Sequence, residues 1–152
     1  MTDARRRQFR TFTEGYEGLR QLSAAVRGSG LDHSLLELVK MRASQVNGCA
    51  FCMDMHTKDA RKAGETEQRI YGLTAWRETP FYTDRERAAL ALTEAVTLVA
   101  GGVPQSVLDD AAEQFTPEEM GQLVFAIVEI NSWNRLAITT GSPVPGSYEP
   151  RD

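Results

Sequence analysis

Two reciprocal capping boxes do most to restrict the fold. Thr83 stands three residues before Glu86, and Thr116-Pro117 is followed by Glu119. In each, the threonine hydroxyl can take a first-turn amide while the glutamate returns to the threonine's own amide; proline fits where that amide would have no partner anyway. These signals predict helices over about 84–100 and 117–139. Asp32 can cap another that carries Leu35, Leu36, Val39, Ala43 and Val46 and stops at Asn47-Gly48, where a left-handed residue is accommodated. The next helix runs from near Cys49 to near Gly64, shorter ones cover 66–73 and 104–114, and a first one covers 6–27. Trp76 to Tyr82, holding Pro80, reads as a connector. Gly141 to Asp152, with three prolines, reads as a tail, loose unless contacts order it. Strand signals, internal repeats and low-complexity linkers are lacking, so the fold reads as all-α. The 152 residues make one domain, enough to bury roughly 70% of the surface an unfolded chain exposes.

The net charge is −4 with 25% charged residues, which leaves no broad basic field for nucleic acid or an anionic membrane. The one basic cluster, Arg5, Arg6, Arg7 and Arg10, reads as a solvated face of the first helix. The start of the chain lacks the apolar core of a signal peptide, and no segment approaches the ~20 apolar residues of a membrane helix. The expectation is a soluble, cytoplasmic protein. In a reducing compartment a close cysteine pair is more often catalytic, redox-sensing or metal-binding than a permanent staple.

Such a pair is present: Cys49 and Cys52 are the only cysteines, and His56 follows one turn on. On a helix, residues three and four apart share a face, so the three line one stripe that continues through Ala60 and Ala63. Residues three apart on a helix bring their Cα atoms within the span a disulfide requires, so the pair can open and close without large backbone movement. A helix N-terminus and a nearby imidazole both lower a thiol pKa from about 8.5. The dipole favours Cys49, whereas His56 can shuttle a proton for Cys52 and protonate a leaving oxygen. Cys52 is therefore expected to attack and Cys49 to resolve. Glu37, opposite Leu35, Val39 and Val46 on its own helix, reads from spacing alone as a solvent-facing partner of Lys40.

Other chemistries fit the pair less closely. Zinc wants two further ligands, but only His33 and His56 exist, and Cys49 to His56 spans about 10.5 Å of helix rise. Haem attachment wants histidine where Met53 stands. A thioredoxin fold would place the pair after a buried strand, yet the preceding segment is helical. Two buried structural cysteines remain a possibility. No metal or organic cofactor is expected. A separate anomaly lies in the last helix, where Asn131 and Asn134 fall into the apolar stripe of Met120, Leu123, Val124, Ile127 and Ile130. Buried amides need partners; the expectation is a structural role or a subunit contact rather than a place at the thiols.

The segment from Glu37 through Cys49-Ala-Phe-Cys52-Met-Asp-Met-His56 to Gly64 resembles the core of the AhpD-like alkylhydroperoxidases within the carboxymuconolactone decarboxylase family. The similarity extends through Trp76-Arg-Glu-Thr-Pro80 and Ile130-Asn-Ser-Trp-Asn-Arg-Leu136, covering most of a core over about 15–140. The resemblance implies an AhpD-like all-helical bundle with the Cys-x-x-Cys at the start of a central helix, assembled as homo-oligomeric trimers or hexamers. It implies reduction of hydroperoxides by Cys52 with Cys49 as disulfide partner, and proton transfer by His56 with Glu37. That moves Glu37 from solvent into a relay. A thioredoxin-like or lipoyl-bearing protein would regenerate the thiols. Where peroxidases of the group often carry Ser-His between the cysteines, this chain has Ala50-Phe51, which bears on substrate and reductant. Members named for lactone decarboxylation generally lack the pair. A redox-sensing module without turnover and a small-molecule lyase are the alternatives.

Overall fold

The computed structural model describes residues 11–150; the Arg5–Arg10 cluster and the expected start of the first helix lie outside them. Seven α-helices follow in order: α1 Thr13–Arg27, α2 His33–Asn47, α3 Ala50–Lys62, α4 Glu67–Gly72, α5 Asp84–Thr97, α6 Gln105–Gln114 and α7 Pro117–Thr140. Single 3-10 segments cover Leu73–Glu78 and Val99–Gly101, and no strand occurs among the described residues. The all-α reading therefore holds.

The local signals are realised as written. Both capping boxes close; Thr83 Oγ1 accepts from the Glu86 amide at 3.2 Å while Glu86 Oε2 accepts from the Thr83 amide at 2.8 Å. Asp32 Oδ1 caps α2 by accepting from the Ser34 amide at 2.8 Å. Gly48 ends α2 with φ +70°, a conformation glycine adopts without Cβ strain, and the chain turns at once into α3.

α2 is the enclosed helix. Seven consecutive residues, Leu35 to Met41, are buried, because α3, α5 and α7 all pack against it. One side of α2 (Leu35, Leu36, Val39) joins α1, α5, α6 and α7 in one apolar cluster. Another (Leu38, Met41) joins α3, α4 and the Leu73–Glu78 segment in a second. A helix shared between two clusters has no water-facing side over its middle, and its polar residues must find partners inside the protein.

Two boundaries differ from expectation. The region expected to be a connector from Trp76 begins inside the 3-10 segment, where Trp76 is buried and its Nε1 donates to Glu94 Oε1 at 2.8 Å; the indole needs both apolar cover and an acceptor, and α5 supplies them. The segment after α7 lies against α3: the Gly146 amide donates to Asp54 Oδ2 at 2.9 Å, Lys58 Nζ to the Tyr148 carbonyl at 2.7 Å, and the Tyr148 hydroxyl to Asp59 Oδ1 at 2.7 Å. Of the two readings of the tail, these contacts favour ordering over looseness. No described helix is long and apolar enough to cross a membrane.

Candidate dithiol site

The turn at Gly48 brings α3 back along α2, and this places the four sequence-predicted residues together. Cys49 occupies the N-cap of α3 and Cys52 lies in its first turn. Both are free thiols, both are buried, and they pack with Ala43 of α2 and Ile130 of α7. The stripe continues through buried His56 and Ala60 but ends there, since Ala63 is exposed.

Glu37 is not in solvent: it is only 4% exposed. Its Oε2 lies 2.8 Å from His56 Nδ1. Lys40 does pair with it, Nζ to Oε1 at 3.5 Å, but as a buried ammonium rather than a surface one, and His33 Nε2 stands 4.0 Å away. Burial by itself raises the Glu37 pKa, yet the His56 hydrogen bond and the charges of His56, Lys40 and His33 outweigh it and hold the carboxyl below 4.5. A charged Glu37 accepts from Nδ1–H of His56 and so fixes Nε2 as the ring's remaining proton site.

The two thiols differ. Cys49 is lowered to about 6, chiefly because the Cys52 thiol donates to its sulfur, helped against burial by the Cys52 amide, the Asn134 side chain and the His56 charge. Cys52 is raised, first by that same donation to Cys49 and then by burial and the neighbouring negative sulfur. The pair thus behaves as one acid that loses a single proton readily and the second with difficulty. These directions make Cys49 the first of the pair to ionise. Both thiols are 2% exposed, and a groove of about 500 Å³ has Cys49, Arg42, Val46 and Met53 in its wall. A second cavity, about 350 Å³, reaches Glu37 from the other side, beside Ser34, Ala60 and Arg69.

Asn134 is the residue that sequence reasoning set aside. It is fully buried, and its carboxamide meets Asn47 at 2.8 Å and Ser44 at 3.0 Å. The signal was present in the sequence as a polar residue on an apolar stripe; what was missing was the knowledge that α7 crosses the start of α3. For metal binding, Glu37, His56 and Asp59 offer ligand atoms within 4.8 Å of one another. Protein partners already serve both carboxylates, Lys40 at Glu37 and Tyr148 at Asp59.

Comparison with known proteins agrees with the fold. The model of the carboxymuconolactone decarboxylase family matches residues 11–95. An uncharacterized Bacillus subtilis (strain 168) protein, YdfG, is 46% identical over 130 residues, covering 85% of this chain and 88% of its own. The crystal structure of an Agrobacterium tumefaciens protein of unknown function, a candidate antioxidant defence protein AhpD, superposes with TM-score 0.83 at 39% identity, over 92% of this chain and 93% of that one. The debrominase Bmp8 shares the fold with TM-score 0.72 at 17% identity, covering 85% of this chain and 70% of its own. The chain belongs to the carboxymuconolactone decarboxylase family and is AhpD-like within it.

Proposed function

We propose that the protein is a thiol-dependent hydroperoxide reductase that cycles between a Cys49/Cys52 dithiol and an intramolecular disulfide. The observation that carries this reading is the continuous set Glu37, His56, Cys52, Cys49: a charged acid on a histidine, one helical turn from a thiol that donates to a stabilised thiolate.

At rest Cys49 is the thiolate and Cys52 keeps its proton, while His56, oriented by Glu37, carries protons between the pair and the substrate. The Cys49 sulfur attacks the outer oxygen of a hydroperoxide, the O–O bond breaks, and the departing alkoxide takes, by way of His56, the proton that ionisation of the pair released, giving a sulfenic acid on Cys49 and an alcohol. Cys52 then gives its proton to His56, its thiolate attacks the Cys49 sulfur, the S–OH bond breaks, and the hydroxide leaves as water with that proton. The peroxide is reduced by two electrons and the thiols are oxidised to the disulfide. A dithiol donor of thioredoxin-like or lipoyl-bearing type returns two electrons and two protons. Catalysis on this reading needs neither metal nor organic cofactor.

A homo-oligomer is part of the proposal. Phe125 and Val128, one turn apart on α7, are 58% and 41% exposed, apolar surface of the kind a second copy covers. Light scattering should give a mass well above the 16.9 kDa chain.

The test is steady-state peroxide consumption with dithiothreitol and with candidate protein dithiols as donors. Turnover that vanishes in Cys49→Ser and in Cys52→Ser supports the proposal. Oxidation without turnover under every donor points to a redox-sensing module, and an activity indifferent to loss of both thiols points to a lyase.

A further inference from the structure

We propose that the groove beside Cys49 is a subsite for carboxylate-bearing hydroperoxides, in which Arg42 and Gln45 hold the substrate's carboxylate while its peroxide group meets the thiol. The inference rests on the pair reducing hydroperoxides and narrows which ones it takes.

The chemistry of the groove wall is one-sided. Arg42, Gln45 and Cys49 share it with Val46, Ala50 and Met53, and no acidic side chain lines it. The Arg42 side chain is only 15% exposed, so its nitrogens need partners. Two of the three have them: Nε donates to Glu94 Oε1 at 2.8 Å and Nη1 to Gln45 Oε1 at 2.8 Å. Nη2 makes no hydrogen bond among the described residues. The bond to Gln45 also settles that amide. Arginine has donors alone, so the Gln45 atom that meets it is the oxygen, and Nε2 is left over with both hydrogens. It too makes no hydrogen bond among the described residues. Two donor groups on adjoining side chains of one groove are thereby left for a ligand.

Charge points the same way. Glu94 is shared: Trp76 Nε1 donates to its Oε1 at 2.8 Å, and Arg77 Nη1 lies 2.6 Å from its Oε2. Two guanidinium groups against one carboxylate leave a single positive charge in surplus. That suits a monoanion, whereas a phosphate monoester carries close to two negative charges at neutral pH. A carboxylate offers two oxygens to two donor groups, and bonds of a guanidinium to it are charge-assisted and directional. The surplus also offsets the repulsion a second anion meets beside a Cys49 thiolate. Val46, Ala50 and Met53 cover the hydrocarbon body. The carboxylate takes no part in the redox step: the Cys49 sulfur takes the outer peroxide oxygen, the O–O bond breaks, and the product is the corresponding hydroxy acid.

The experiment is single-turnover oxidation of the reduced protein, with no electron donor present, by the tertiary hydroperoxide of isocaproic acid and by its methyl ester. The readout is the acid-to-ester ratio of second-order rate constants, in which a general loss of reactivity cancels. The acid should react at least about tenfold faster, the gain expected from a hydrogen bond to a charged group, and Arg42→Met should bring the ratio close to one. Gln45→Leu, which changes no charge, should lower the ratio as well, and it decides the matter where Arg42→Met does not fold. Arg77→Met removes the same charge from an exposed side chain outside the wall and should shift the ratio by about twofold or less, because exposed charges are screened. A ratio near one in the natural protein, a ratio unchanged in folded Gln45→Leu, or an Arg77→Met effect as large as that of Arg42→Met overturns the proposal. So does an Arg42 role confined to an acidic dithiol partner, which would leave the ratio in place. If neither hydroperoxide oxidises the thiols, the proposed function falls, and the subsite is read from protection of Cys49 against iodoacetamide. Isocaproate should then protect and methyl isocaproate should not; equal protection by the two would overturn the subsite.

Discussion

The molecule buries two glutamates to the same extent and treats them in opposite ways. Glu37 on α2 and Glu129 on α7 are each 4% exposed. Glu37 has His56, Lys40 and His33 around its two oxygens. Glu129 sits at the seam of α7 with α1, where Oε1 accepts from Ser23 Oγ at 2.5 Å and Oε2 has no protein partner. Ser23 in turn accepts from Trp133 Nε1 at 2.8 Å. Burial alone therefore does not mark a working acid. What distinguishes Glu37 is a base that can carry a proton away, with the Cys52 thiol one turn beyond it and Cys49 a turn further; Glu129 faces a hydroxyl that itself accepts from an indole, and neither changes charge near neutral pH. Perturbed carboxylates matter for chemistry where a titrating partner links them to a nucleophile.

The sharpest way to break that comparison is to remove charge at the first glutamate. Glu37→Gln keeps the shape and should slow peroxide reduction by ~10²–10⁴-fold, the usual size of an acid-base contribution. His56→Ala should lose a similar factor, and the double variant should be little worse than either, because the two act as a unit. Stopped-flow peroxide consumption reads all three. Near-normal rates in Glu37→Gln would make Glu37 as structural as Glu129.

At the other seam the effect should fall on stability. Ser23→Ala orphans both Glu129 Oε1 and Trp133 Nε1 and should cost about 1–3 kcal/mol in urea unfolding while leaving peroxide kinetics within about twofold. A loss of rate there would join the two regions and dissolve the contrast.

Smaller still is the acid limb of stability. The folded pKa of Glu37 lies below its ordinary 4.5, so its contribution is present above that value and is lost as the pH falls through the lower folded pKa. Unfolding midpoints taken from about pH 6 down to 3 should decline more steeply for the natural protein than for Glu37→Gln. Equal slopes would mean that His56 and Lys40 do not favour the carboxylate.

The same comparison shows what was legible in the sequence. Caps and stops are local, so Asp32, Gly48 and both capping boxes marked helix ends correctly. The spacing of Cys49, Cys52 and His56 is also local, and they share a face as read. Glu37 was misjudged from its own helix because a wheel assumes one wet side, whereas α2 is enclosed by three helices; the family resemblance supplied what the wheel lacked. The partners of Asn134 are beyond a wheel for a similar reason, since Asn47 and Ser44 lie on α2, more than eighty residues away in sequence. Which sulfur carries the charge is not legible there, because it depends on how two sulfurs share one proton, which spacing cannot show.

The most direct measurement of the central claim is a single-turnover titration of the reduced protein with a small organic hydroperoxide, following alcohol formed, free thiol and intact mass together. The account predicts one alcohol for every two thiols lost, with a mass two hydrogens lower per chain and a bridge between Cys49 and Cys52. It also predicts that Cys52→Ser halts at a sulfenic acid on Cys49 that dimedone traps. Thiols that survive an equivalent of peroxide, or a bridge found only between chains, would contradict it.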